Sequence, residues 1–229
     1  MNNFSLMSAL LFEPRKAFDE IAQRPRFLFP FLLVLVCTVA ISAWYCSVVD
    51  VPWLIDQSLR NNPLTRGMPE ARIQEMIDRS TRGALIGQTV VSTIIFLIIL
   101  RLLEALYYTL AGKVMGVDRS YKQWFAFSCW TGLPAALAIV PAAIVLAGVT
   151  EPQIPQTALQ PLSVNELLLH LKPDQPGYSL WSNLGLLTVA GFALAVVGVK
   201  NWSGRSWLFS TLFATLPLLL IIGIVILRS

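Results

Sequence analysis

Five long apolar runs limit what this chain can fold into. They lie at about 27–49, 84–111, 124–149, 179–199 and 207–227. A helix needs roughly 20 apolar residues to cross a bilayer core. Inside lipid each backbone N–H and C=O must find a partner within its own segment, so these runs are predicted helices. A membrane barrel would instead alternate apolar and polar residues in strands of about ten. Stretches such as IIFLIIL and LLLIIGIVIL do not alternate. The expected fold class is therefore all-α: an integral membrane bundle of five transmembrane helices with interfacial amphipathic helices. Only 13% of the 229 residues are charged, about half the share usual in soluble domains. The expected layout is a cytoplasmic interfacial segment at 1–26 and a five-span membrane domain at 27–229.

The segments between the runs carry the charge. Residues 1–26 mix Arg15, Lys16, Arg24 and Arg26 with Glu13, Asp19 and Glu20, unlike the basic start of a secretory signal. Pro14 suits the first turn of a helix, and Ala17, Phe18 and Ile21 fall on one of its faces. That face lies either in the head-group layer or on the protein's own surface; the spacing leaves both open. Trp44 and Tyr45 suit an aromatic belt at the far end of the first span. The 50–83 loop sets Arg60, Arg66, Arg72, Arg79 and Arg82 against Asp50, Asp56, Glu70, Glu75 and Asp78. A helix opened by Pro69 is expected there, supported by an i,i+4 pair of Asp78 with Arg82. The turn at 113–123 is short and basic, with Lys113, Arg119 and Lys122 against Asp118. Gly116 can supply the positive φ of a tight reversal.

Orientation follows from the loop bases. With the N-terminus inside, the inner segments carry nine Lys and Arg residues and the outer ones seven. The 50–83 loop holds five of those seven, and short loops weigh most in the positive-inside rule. The expectation is a cytoplasmic N-terminus and an outward C-terminus. The net charge of +4 is small and spread over the loops, which argues against nucleic acid as a partner and suits anionic head groups.

Within the spans, Arg101, Glu104 and Tyr108 share one helix face. They form a candidate intramembrane polar site, since ionisable residues in a bundle often mark pathways. The second span has 28 residues, or about 42 Å of helix for a core of about 30 Å. It tilts or projects, which brings the pair toward the cytoplasmic edge, where an arginine can snorkel. Pro134 and Pro141 are candidate helix-break positions in the third span. Gly132 with Ala136, and Ala138 with Ala142, form small-residue pairs there. Thr188, Gly191, Ala195 and Gly198 form a candidate packing face in the fourth span. Cys37, Cys46 and Cys129 read as small apolar filler, and His170 lacks companion ligands. No phosphate loop, nucleophile elbow or metal-ligand helix is present. No catalytic, cofactor-binding or metal residue is expected, and no cofactor.

Three stretches together resemble a known family. They are PRKAFDEIAQRP at 14–25, GVDRSYKQWFAFSCWTGLP at 116–134, and WSNLG at 181–185, followed by a Trp/Ser turn. The chain is similar to the bacterial branch of the Yip family, which is named for proteins that interact with Ypt/Rab GTPases. The resemblance covers nearly the whole chain in layout. It implies five helices, a cytoplasmic N-terminus and an outward C-terminus, in a bacterial inner membrane. The acidic Asp-Leu-Tyr-Gly-Pro motif of eukaryotic relatives and their long polar tail are absent, so their trafficking role is not carried over. The family defines no catalytic residues.

The function expected is that of a non-enzymatic multi-pass membrane protein that organises or binds partners or lipids in the bilayer. The alternative is a small transporter, channel or lipid-handling protein using the second and third spans. The expected partners are membrane lipids, with other membrane proteins or further copies of the chain.

Overall fold

The computed structural model describes residues 1–62, 65, 67–173 and 175–227. Two residues in the orientation argument, Arg66 and Arg228, lie outside these. The described residues are helical, with no strand beyond an isolated bridge between Ser163 and Gly185. The helices are α1 (Asn3–Phe12), α2 (Pro14–Gln23), α3 (Leu28–Val48), α4 (Val51–Asn61), α5 (Glu70–Arg79), α6 (Arg82–Met115), α7 (Tyr121–Thr131), α8 (Ile139–Ala147), α9 (Tyr178–Asn183), α10 (Leu186–Ser203) and α11 (Trp207–Leu227). Four stretches are long and apolar enough to cross a membrane: α3, α6, Tyr121–Ala147 and α10. The fifth expected span coincides with α11, whose Trp207–Leu219 part is a shorter apolar helix.

Helix ends differ from the apolar runs because caps, not hydropathy, end a helix. The Thr81 hydroxyl accepts the Ala84 N–H at 3.2 Å, and Gly116 turns the chain with φ +70°. Between these stops α6 runs for 34 residues, longer than the expected 84–111. The third expected span, 124–149, is not one helix. It is α7, a 3₁₀ segment Leu133–Ala138, and α8. The fourth expected span begins late. Leu184 is extended and its carbonyl accepts the Val164 N–H at 2.7 Å. That strand-like pairing separates α9 from α10.

The chain divides into two compact units. The first comprises Met1–Val36, Phe96–Leu137 and Leu186–Ser229. Its core joins Phe18, Ile21, Tyr108, Trp124, Phe127, Trp130, Val199, Trp202 and Phe213. Here α10 packs on α2, α7 and α11.

The second comprises Cys37–Ile95 and Ala138–Gly185, with a small core of Tyr45, Cys46, Val49, Leu146 and Ile154. Tyr45 does not join an aromatic belt. It is buried, and its hydroxyl donates to the Ile154 carbonyl at 2.8 Å; Trp44 beside it is exposed. The 50–83 loop holds two helices, α4 and α5, tied where Arg60 bridges Asp56 and Glu70, both at 2.6 Å. The expected Asp78–Arg82 pair does not form. α5 stops at Arg79, Asp78 accepts from Gln74, and Arg82 donates to the Cys46 and Ser47 carbonyls.

Candidate functional site

Both candidate regions lie in the first unit. The first is Arg101. One turn of α6 puts Arg101 and Glu104 on the same face, and they form an ion pair at 2.5 Å. The same Arg101 nitrogen donates to the Ser128 carbonyl near the end of α7, at 2.9 Å. The side chain is turned inward, only 11% exposed, whereas Glu104 keeps 37%. Gly132 caps α7 and makes room for the guanidinium. A Cβ there would stand 2.5–2.6 Å from Arg101. The space beside it, lined by Pro30, Phe31, Val34, Leu97, Arg101 and Cys129, is a cavity of about 10 Å³, the room of about one water molecule.

Tyr108, the third residue of that face, does not join the polar pair. Its ring is buried, stacked on Trp124 with centroids 5.2 Å apart and on Phe213 at 6.0 Å. Pro134 lies in the 3₁₀ segment. Lacking an N–H, it cannot continue the α-helical ladder. Pro141 lies in the first turn of α8, where the missing donor has no intrahelical partner to lose.

The second region is the seat of α2. Its face of Ala17, Phe18 and Ile21 is fully buried against protein. Phe18 meets Phe127 at 5.4 Å and stands edge-on to Trp202 at 6.5 Å. Four side chains donate to backbone carbonyls in and just after this helix, among them Asn201 Nδ2 to Arg15 at 3.4 Å. Trp202 Nε1 reaches Phe18 at 2.9 Å, Gln123 Nε2 reaches Ala22 at 2.7 Å, and Trp130 Nε1 reaches Arg26 at 2.7 Å. Gln123 serves twice, since its Oε1 also accepts the Ser120 N–H in the capping box that opens α7.

The small-residue face of α10 faces this seat in part. Ala195 and Gly198 are buried, and Thr188 and Gly191 half-buried. A Cβ at Gly198 would run into the Phe18 and Phe127 rings, and one at Gly191 would stand 3.0 Å from the Thr131 carbonyl.

Sequence reasoning missed Ser128, whose part is played by its backbone, and the donors Trp130 and Trp202. Only Gln123 carried a signal, as the third residue after a capping serine.

Apolar helices of spanning length and a charge pair satisfied inside the helical fold define a multi-pass α-helical membrane protein. The model of the Yip1 domain matches residues 8–228. The chain therefore belongs to the Yip1-domain family. No curated protein and no solved structure matches it.

Proposed function

We propose that this is a non-enzymatic membrane protein that organises or binds partners or lipids within the bilayer, with its N-terminus in the cytoplasm and its C-terminus outside, in the cytoplasmic membrane of a bacterium. One observation carries the reading. The Arg101 guanidinium is held by the Glu104 carboxylate and the Ser128 carbonyl and faces a cavity too small for a solute larger than water. A transport site needs room for a ligand beside its donors; here one guanidinium nitrogen holds α6 to the end of α7 and the space beside it is that of about one water. The seat of α2 supports the same reading, since it fixes the amino-terminal segment rather than opening a path.

The test is reconstitution of the purified chain in liposomes. No saturable solute flux is expected. A saturable flux lost on Arg101→Ala or Glu104→Ala would overturn the reading and favour transport through the second and third spans.

A further inference from the structure

Cations gather at one end of the first unit, where two turns meet. Lys113 ends α6, Arg119 and Lys122 flank the start of α7, Lys200 lies in the last turn of α10, and Arg205 stands between α10 and α11. The Arg119 guanidinium lies over the Trp202 ring at 5.3 Å, which joins the first turn to the second. Arg205 closes the junction from the other side. Its Nη2 is 3.3 Å from where a Gly116 Cβ would stand, and its guanidinium lies over Phe209 at 4.6 Å. Lys200 lies over Trp207 at 5.9 Å, and its ammonium donates to the Arg205 carbonyl.

These cations form no ion pair among the described residues; Asp19, which reaches the second turn, accepts from Asn201 Nδ2 at 2.8 Å. Among the described residues no carboxylate stands within 4.0 Å of any of the five, and Asp118, the acid in the first turn, is exposed. The second unit behaves differently: Arg60, Arg72 and Arg79 each reach an acid. Stacking occupies the face of a guanidinium and leaves its N–H donors, which lie in its plane, unblocked by the ring. Lys200 has three donors and spends one on Arg205. Beside them Trp207 and Leu208 are exposed. An exposed indole next to cations at the ends of apolar helices is the composition of the head-group level.

We propose that Arg119, Lys200 and Arg205 form a site for the phosphate head group of an anionic phospholipid. Its phosphate oxygens accept charge-assisted bonds from the two guanidiniums and the ammonium, and its acyl chains run down beside Trp207 and Leu208. The proposal deepens the lipid-binding side of the function above and rests on the chain being embedded in a bilayer.

The experiment uses the full chain in phosphatidylcholine nanodiscs doped with bromine-labelled phosphatidylglycerol or, at equal mole fraction, bromine-labelled phosphatidylcholine. Tryptophan quenching reports the relative association of each lipid. The wild-type chain is expected to favour phosphatidylglycerol by about a hundredfold, about fivefold for each of the three cations engaged. R119Q/K200Q/R205Q should bring the ratio close to one, and Lys200→Gln alone should lower it several-fold. R60Q/R72Q/R79Q, which removes the paired arginines of the second unit, should leave it unchanged.

A wild-type ratio near one overturns the site with no variant needed. So does a ratio that survives the first triple variant or falls equally in the second. Displacement of the brominated lipid by inorganic phosphate at matched ionic strength would replace the lipid with a free phosphate ligand and overturn the assignment. Solute flux in the liposome assay would sink the scaffold reading and leave this lipid contrast intact. Equal quenching would do the reverse.

Discussion

Replacing Arg101 by alanine leaves the Glu104 carboxylate without the cation 2.5 Å away and the Ser128 carbonyl without that donor. Removing one partner of a fully buried pair costs about 3–5 kcal/mol, because the other charge stays behind unpaired; with Glu104 37% exposed, about 1–3 kcal/mol is expected here. Arg101→Ala should therefore lower the unfolding midpoint in detergent markedly. The double variant R101A/E104A should recover much of the loss. If the pair instead sat in water, both single variants would shift the midpoint by less than about 1 kcal/mol equivalent, and the double would show no recovery. Gly132→Ala tests the same lock from its other side. Its Cβ would fall 2.5 Å from the guanidinium, and overpacking of this kind costs about 1–3 kcal/mol. The loss should shrink when Arg101 is already alanine, which a double-mutant cycle measures directly.

At the scale of an element, α2 is held by an aromatic socket and by donors from α7 and α10. Phe18→Ala would empty a site closed by Phe127 and Trp202, a loss of about 3–5 kcal/mol. Trp202→Phe keeps a ring and removes the N–H that serves the Phe18 carbonyl. The carbonyl keeps its place in the α2 ladder, so the loss is that of one hydrogen bond, about 0.5–1.5 kcal/mol. Gly198→Leu would drive a side chain into the space of the Phe18 and Phe127 rings and should undock α2 altogether. Trypsin reads these changes on inverted membrane vesicles, which present the cytoplasmic face. Arg24 and Arg26 bracket the exit from α2, and Arg26 is tied in through its carbonyl to Trp130. The Arg24–Pro25 bond resists trypsin, so Arg26 is the reporter: cleavage after it should be slow in the wild type, faster in Trp202→Phe and complete in Gly198→Leu. Equal rates in all three would mean that α2 is not held by this socket. The amphipathic face of α2 was readable in the sequence. Its choice of protein over lipid was not, because Trp202 lies 184 residues away from Phe18 and nothing local announces that meeting.

Across the whole molecule, periodicity and apolarity made the helical membrane class readable, since a helix satisfies its own backbone in lipid and runs such as 84–111 lack the alternation of a barrel strand. What they could not place were the interruptions. Pro134 marked one, but the break at 184–185 comes from a carbonyl recruited by Val164, a long-range bond with no periodic trace. The polar pair was readable as a pair; its third partner was a backbone carbonyl, which sequence does not display. Orientation rests on the loop bases and on the family resemblance and calls for a direct measurement. After replacement of Cys37, Cys46 and Cys129, single cysteines at Ala71 and Asp118 serve as probes, because both positions are exposed. Ala71 lies in α5, in the loop assigned outside, and Asp118 in the basic turn assigned to the cytoplasm. A membrane-impermeant maleimide should label Ala71→Cys in intact cells and Asp118→Cys only after permeabilisation. The reverse pattern would place the basic turns outside. The positive-inside argument would then have failed because the arginines of the 50–83 loop, largely paired with acids in the fold, still govern insertion while the chain is unfolded and those pairs have not formed.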